Sequence, residues 1–176
     1  MKDRTKLALA RALQESLRTK SLDEVRVSEL CARCDLQRQS FYYHFQDKYD
    51  LVAWIFLQDF SAGFSSNGYR LSLECISEIL RRVYEKKELY LRVLADRSQN
   101  LPLLYIQKYI YEFSVDLFCR RDGVEQLPET LCIKIQFLVY GAIGLVYEWL
   151  KGHIQKDEEA LARLMFEMVP PEMLQE

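Results

Sequence analysis

A short stretch near the N-terminus carries side chains that could read the edges of bases in DNA. In the major groove an arginine can pair with guanine and a glutamine can pair with adenine. Phe41 and Phe45 lie four residues apart, so on a helix both face inward and leave the polar side chains outside. The exposed polar residues are then Gln37, Arg38, Gln39, Ser40, Tyr43 and His44. A solvated helix surface without function, or a tyrosine packed on the first helix, would give the same pattern.

Other chemistries find little support in the chain. Cys31 and Cys34 have the spacing of half a zinc site, but no second cysteine pair follows, and His44 and His153 are the only histidines. Cys31 is explained as a small apolar residue under a helix. The sequence contains no G-x-S-x-G, H-E-x-x-H or G-x-G-x-x-G motif and no phosphate-binding glycine loop. We therefore expect no metal, no cofactor and no enzymatic activity.

Composition favours a folded helical protein. Of 176 residues, 49% are hydrophobic and 12% aromatic, which excludes a disordered chain, and six Gly and four Pro are too few for an all-β fold. Residues 1–48 contain ten Lys or Arg against seven Asp or Glu, whereas the rest contains fourteen against nineteen. This asymmetry has the sign expected of a DNA-contacting head, but it is modest.

We expect a cytoplasmic protein that does not enter a membrane. The first twenty residues are charged and lack the apolar run of a secretory signal. The most apolar run, 137–147, is too short to span a bilayer before Glu148 interrupts it.

Four helices are predicted to position the candidate DNA-contacting residues. They cover about 3–19, 27–33, 38–44 and a fourth helix that Asp47 caps and that ends near Ser61. The two short helices, joined at Asp35, form a helix-turn-helix. The glycine- and serine-rich stretch 63–68 is predicted as a linker. We thus predict a DNA-binding domain at 1–48, a connecting helix and linker at 49–68, and a regulatory and dimerisation domain at 69–176.

The rest of the chain is predicted to be helical as well, giving an all-α protein of about nine helices. Apolar residues recur at helical spacing from Leu73 and after Pro102, Pro128 and Asp157, and Gly152 suits the end of a helix.

The helix predicted between Pro128 and Lys151 is apolar on nearly all sides. Such a helix must be covered on nearly all sides, which a domain of this size achieves most simply with a second copy of the chain. A central core helix in a monomer is the alternative. The residues predicted at the dimer interface are Ile135, Leu138, Ala142, Val146, Trp149, Leu161, Leu164, Met165 and Met168.

Residues 25–51 resemble the DNA-binding signature of the TetR/AcrR family. The resemblance lies in Val-Arg-Val-Ser-Glu-Leu-Cys at 25–31 and in the run from Cys34 through Arg-Gln-Ser-Phe-Tyr-Tyr-His-Phe to Leu51. The second part, with Trp-Ile-Phe at 54–56, is similar to the subgroup related to the dihydroxyacetone-kinase operon regulator. Tyr140–Gly144 and Trp149–Gly152 match stretches of that subgroup more weakly.

This resemblance implies a regulator that binds a near-palindromic DNA operator as a homodimer. It implies phosphate contacts by Tyr42 and Lys48, with the amides at the start of the fourth helix adding to them, and Arg26 is a further phosphate candidate. It also implies an unknown effector of the C-terminal domain, which is either a small molecule or a protein co-regulator. Repression is the family's usual mode, and activation stays open. The residues predicted to line an effector pocket, each with core packing as the alternative, are Tyr84, Tyr105, Tyr109, Phe113, Phe137 and Tyr140.

The chain departs from the family pattern at Lys20, Arg26, Asp35 and Gln37. Arg26 and Gln37 replace residues that cap a helix better, and Asp35 replaces the usual turn glycine. These departures keep a second hypothesis open: a helical protein-interaction module whose DNA-binding head has degenerated.

Overall fold

The computed structural model describes residues 2–66, 68–95 and 101–174. These residues form ten α-helices and no strand, so the all-α prediction is confirmed. The helices are α1 (Lys2–Ser16), α2 (Val27–Arg33), α3 (Arg38–His44), α4 (Lys48–Ser66), α5 (Leu73–Glu85), α6 (Lys87–Leu94), α7 (Leu101–Asp122), α8 (Glu129–Leu150), α9 (Glu158–Glu167) and α10 (Pro171–Leu174).

The chain divides into two compact units that alternate along the sequence. The first unit comprises residues 1–56 and 88–106, and the second comprises 57–87 and 107–176. The division therefore passes through α4 and α7 and falls after the first residue of α6.

The core of the first unit is built from the stripes that the sequence predicted. Leu9 and Leu13 of α1, Leu30 of α2, Phe41 of α3 and Leu51 of α4 are all fully buried. Their spacing puts one apolar face of each helix toward the others, and that burial orients the short helices α2 and α3, which could not persist alone.

Defined caps begin and end several helices of the second unit. The side chains of Ser72 and Asp157 accept hydrogen bonds from the amides of Cys75 and Ala160 at the starts of α5 and α9. Gly152, with φ of 81°, ends α8. The predictions for Asp157 and Gly152 are thus confirmed.

Two helix boundaries and one additional helix differ from the sequence-based expectation. The first helix ends at Ser16, earlier than residue 19, and α10 was not predicted. Residues 63–66, predicted as linker, form the last turn of α4. Gly63 is there because α5 is close: a Cβ on it would lie 2.4 Å from Cγ1 of Ile79. The glycine at position 63 therefore reflects close packing between α4 and α5 and not a flexible linker.

Helix α8 leaves one apolar side uncovered. Phe137 is 77% exposed and Ile133 is 59% exposed, and Tyr140 is exposed beside them. Among the described residues, α8 is also the one helix long and apolar enough to cross a membrane, with only 11% of its most apolar window buried. Core and interface helices of soluble proteins reach the same length and hydropathy, so this property alone is weak evidence for a membrane span.

Candidate nucleic-acid interface

The turn between α2 and α3 is a Schellman-type end with Asp35 in the left-handed region. Asp35 has φ of 53°, as predicted for this turn position. The amide of Leu36 donates to the carbonyl of Cys31 at 2.9 Å, and the amide of Asp35 donates to that of Ala32 at 3.3 Å. These bonds satisfy the last carbonyls of α2 and direct the chain into α3. The helix-turn-helix geometry therefore forms without the usual glycine.

Helix α3 presents a polar face while two phenylalanines hold it in place. Phe41 is fully buried and Phe45 is 3% exposed, with ring centroids 5.7 Å apart. Beneath them, Trp54 contacts Phe45, and the ammonium of Lys6 lies over both rings at 5.6 and 5.7 Å. This aromatic base fixes the orientation of α3, so its outer side chains share one direction.

Most of the predicted base-reading residues lie on that outer face. Gln37, Arg38 and Gln39 are exposed, Tyr43 is 68% exposed, and Ser40 and His44 are half-buried. Gln37 stands at the N-cap of α3 and makes no side-chain cap hydrogen bond. The structure thus places five of the six predicted residues on α3 and the sixth, Gln37, at its N-cap.

Arg38 and Tyr42 form a pair on the same helix. Nη2 of Arg38 lies 3.3 Å from the Tyr42 hydroxyl, and its guanidinium sits 5.9 Å from the tyrosine ring centre. Tyr42 is half exposed. Hydrogen bonding to Tyr42 raises the pKa of Arg38, so this side chain carries its positive charge at any accessible pH. The pair can present a cation and a hydroxyl together.

Arg26 is exposed at the N-cap of α2 and makes no side-chain cap hydrogen bond. Arg26 therefore places a cation at the N-terminal end of α2.

Lys48 does not project a free ammonium. Its Nζ lies 2.7 Å from the carbonyl oxygen of Leu22, 3.0 Å from that of Asp23 and 3.1 Å from that of Val25. An ammonium has three N–H donors, so these bonds occupy all of them. This arrangement differs from the phosphate contact that the resemblance implied.

Two of the amides at the start of α4 are also occupied. The carboxylate of Asp47 accepts from the amides of Tyr49 at 2.8 Å and Asp50 at 2.9 Å, which confirms Asp47 as the N-cap. The buried carboxylate of Asp50 accepts from the amide of Gln46 at 2.8 Å. Two carboxylates thus surround the helix start that was expected to offer amides to a phosphate.

Two residues far along the chain join this head, and the sequence did not reveal either. The Tyr105 hydroxyl lies 3.2 Å from Oδ2 of Asp47, and burial together with this carboxylate raises the tyrosine pKa. Arg92 donates to the carbonyl of Leu17, beyond the end of α1, at 2.6 Å. Both belong to the same compact unit as the helix-turn-helix.

The two cysteines beside the turn, Cys31 and Cys34, are packing residues. Cys31 is buried and Cys34 is half-buried, and burial raises the pKa of each thiol. Within the described residues, no group of three or more His, Cys, Asp or Glu is arranged to hold a metal ion.

The aromatic residues predicted to line an effector pocket lie on α5, α7 and α8. Tyr105 lies in the first unit, whereas the other five lie in the second. Phe113 packs with Phe60 and Phe64, and Tyr84 stacks near Trp149. Phe137 and Tyr140 are on the uncovered side of α8. Tyr109 is half-buried on α7.

A cavity of about 230 Å³ instead lies in the second unit under α10. Leu117, Phe118, Phe166 and Met173 supply apolar walls, and Arg121 reaches it from the end of α7. The guanidinium of Arg121 also donates to the carbonyl of Met173 at 3.0 Å, so it ties α10 to α7.

The residues predicted at a dimer interface are divided between core and surface. Ile135, Trp149 and Leu161 are buried inside the second unit, whereas Leu164 on α9 and Met168 at its C-cap are exposed. The other predicted interface residues are half-buried, namely Leu138, Ala142, Val146 and Met165. The exposed apolar side of α8 is the opposite one, with Ile133 and Phe137.

Comparison with known protein families gives matches in both halves of the chain. Residues 9–55 match the family described as bacterial regulatory proteins, tetR family. Residues 72–171, more than half of the chain, match the family described as transcriptional regulator C-terminal region.

Among curated proteins, the chain is similar to the HTH-type dhaKLM operon transcriptional activator DhaS of Lactococcus lactis subsp. lactis (strain IL1403). The two are 29% identical over 102 residues, which cover 58% of this chain and 54% of the relative. The chain thus matches about half the length of that relative.

Among solved structures, the fold is similar to that of a TetR transcriptional regulator from Rhodococcus sp. RHA1. That match has a TM-score of 0.63 and 18% identity, and covers 96% of this chain and 97% of the other. The dihydroxyacetone kinase operon activator DhaS matches with a TM-score of 0.55 and 16% identity, covering 93% of each chain. These likenesses establish the fold.

Proposed function

Because the chain belongs to the tetR family of bacterial regulatory proteins, we propose that it binds a specific DNA operator through α3 and thereby regulates transcription. The observation that carries this proposal is the anchored polar face of α3: Arg38 and Gln39 are exposed on a helix held by buried Phe41, and exposed Gln37 stands at its N-cap. Arginine and glutamine are the residues that pair bidentately with guanine and adenine in the major groove. The proposed site of action is the cytoplasm, where the DNA is.

The proposed form on DNA is a homodimer. The exposed side of α8 supports it, since an apolar surface containing Phe137 and Ile133 is costly to leave in water. Two copies related by a twofold axis would present two α3 helices to successive major grooves of a near-palindromic site.

The proposed control is an effector that acts on the second unit. The cavity under α10 supports a small molecule, since apolar walls together with Arg70 and Arg121 suit a mostly apolar ligand that carries acceptor groups. A ligand that binds the folded form raises the midpoint of thermal unfolding, so a screen of small molecules against the wild-type protein tests this part. A protein co-regulator is the other proposed effector, and it would leave this cavity unoccupied.

A gel-shift titration against the DNA flanking the protein's own gene tests the DNA-binding function. We expect binding that is selective for sequence and weakens as salt increases. Gln39→Ala is expected to change which bases are preferred at one position of each half-site, because each bidentate base contact discriminates by about 1–3 kcal/mol. Lys108→Ala, which removes an exposed cation on α7, is the matched control and should leave the preference unchanged.

The same titration separates the alternative function. A protein-interaction module with a degenerate head would still form a dimer in size-exclusion chromatography but would ignore DNA sequence. The head's modest positive charge and the engaged ammonium of Lys48 are the observations that favour this second reading. Members of this family act as regulators, so neither proposal includes an enzymatic activity.

A further inference from the structure

We propose that Lys48 is a positioning residue for DNA binding and not a phosphate ligand: its ammonium fixes the segment between α1 and α2, and so places Arg26. The inference rests on the DNA-binding function proposed above.

The first support is the way Lys48 uses its donors. Its three contacts, at 2.7, 3.0 and 3.1 Å, all go to backbone carbonyls of one turn, from Leu22 to Val25. Three acceptors converging on one ammonium match its three donors, and each charged hydrogen bond is stronger than a neutral one. A phosphate would have to displace these charged hydrogen bonds from the ammonium.

The second support is the segment that Lys48 holds. Leu22 is 1% exposed and Val25 is 2% exposed, so this turn is seated in the core on both sides of the carbonyl cluster. Arg26 follows Val25 directly and is the N-cap of α2. The contact joins residues 23 to 26 positions apart, so Lys48 transmits the position of α4 to the start of α2.

The third support is the electrostatic setting of Lys48. Asp47 and Asp50 flank it, and their carboxylates occupy the amides of Gln46, Tyr49 and Asp50. A phosphate placed here would meet two negative charges and few unoccupied donors. Arg26, by contrast, is exposed and makes no side-chain cap hydrogen bond.

Salt-dependent binding of the full-length protein separates the two roles of a cation. The plot of log K against log salt has a negative slope. Removing one phosphate contact makes this slope shallower, lowering its magnitude by about 0.9. We compare the wild type with Lys48→Met, which keeps the length of the side chain, and with Arg26→Ala, all measured on one operator fragment well below the unfolding midpoint. We expect Lys48→Met to bind about tenfold more weakly at every salt concentration with an unchanged slope, and Arg26→Ala to lower the slope by about 0.9.

Each other result overturns the inference. A slope lowered by about 0.9 in Lys48→Met would make Lys48 a phosphate ligand. Unchanged affinity with a lower unfolding midpoint would make its role only structural. If the wild type shows no sequence-selective binding, the proposed function itself fails, and that failure is visible without any variant.

Reductive methylation of wild-type lysines provides a test that needs no mutant fold. We expect Lys48 to resist methylation both in the free protein and in the DNA complex, because its ammonium is engaged in both. Lys108, which is 59% exposed, is the reactive control. If Lys48 is methylated as fast as Lys108 in the free protein and becomes protected only by DNA, the inference is wrong.

Discussion

Phe137→Glu is expected to separate the proposed dimer into monomers. Phe137 is 77% exposed in the single chain, so nearly the whole ring is available to be buried by a partner. Full burial of a phenylalanine side chain contributes about 1.5–3 kcal/mol, and a symmetric dimer contains this position twice. Losing both contributions removes about 3–6 kcal/mol, which raises the dissociation constant by about two to four orders of magnitude. A buried, unpaired carboxylate would add to this effect.

Sedimentation analysis over a range of protein concentrations measures this change directly. Leu104→Glu is the matched control, because Leu104 is 55% exposed on α7 and lies outside the proposed surface. We expect the control to dimerise as the wild type does, and Phe137→Glu to remain monomeric while circular dichroism shows the same helix content. A Phe137→Glu protein that dimerises at the wild-type concentration would refute the assignment of this side of α8 as the interface. So would a wild-type protein that stays monomeric throughout the range.

Two further predictions concern stability and reactivity within the second unit. Asp157→Ala should lower the free energy of unfolding by about 1 kcal/mol, because the amide of Ala160 loses its cap. Asp157→Asn is the control, since it keeps an acceptor at this position. Equal losses of stability in denaturant titrations of both variants would contradict the role of Asp157 as a cap. Burial raises the pKa of Cys75 to about 12 from an ordinary value of 9.0. The unfolded chain therefore loses this proton at a lower pH than the folded protein does. The contribution of Cys75 to the free energy of unfolding is complete below pH 9 and is lost as the pH rises toward 12. Maleimide labelling at pH 8 should therefore modify the half-buried Cys119 and spare Cys75 until the protein unfolds, and equal labelling rates in the folded protein would contradict this.

The local features of the head could be predicted because each depends on neighbouring residues. The bounds of α2 and α3, the left-handed Asp35 and the cap at Asp47 follow from residue type and spacing within a few positions. The inward orientation of Phe41 and Phe45 follows from helical periodicity in the same way.

The partners of side chains could not be predicted, because they depend on distant residues. Nothing in the local sequence shows that Lys48 meets carbonyls more than twenty residues earlier or that Tyr105 reaches Asp47. Periodicity also could not choose between the two apolar sides of α8. Both sides are rich in apolar residues, so only the neighbouring helices show that Ile135 is inside and Phe137 outside. The domain boundaries at 48 and 68 stay a prediction.

The alternation of the two compact units has a consequence for synthesis on the ribosome. Domains usually fold in order from the N-terminus, but the first unit includes residues 88–106 and cannot be completed when its first 56 residues emerge. Until then the carbonyl of Leu17 lacks Arg92 and the carboxylate of Asp47 lacks Tyr105. The nascent head therefore acquires its full set of contacts only after α5 and α6 have been translated. A nascent chain arrested before that point would carry a helix-turn-helix that is not yet mature.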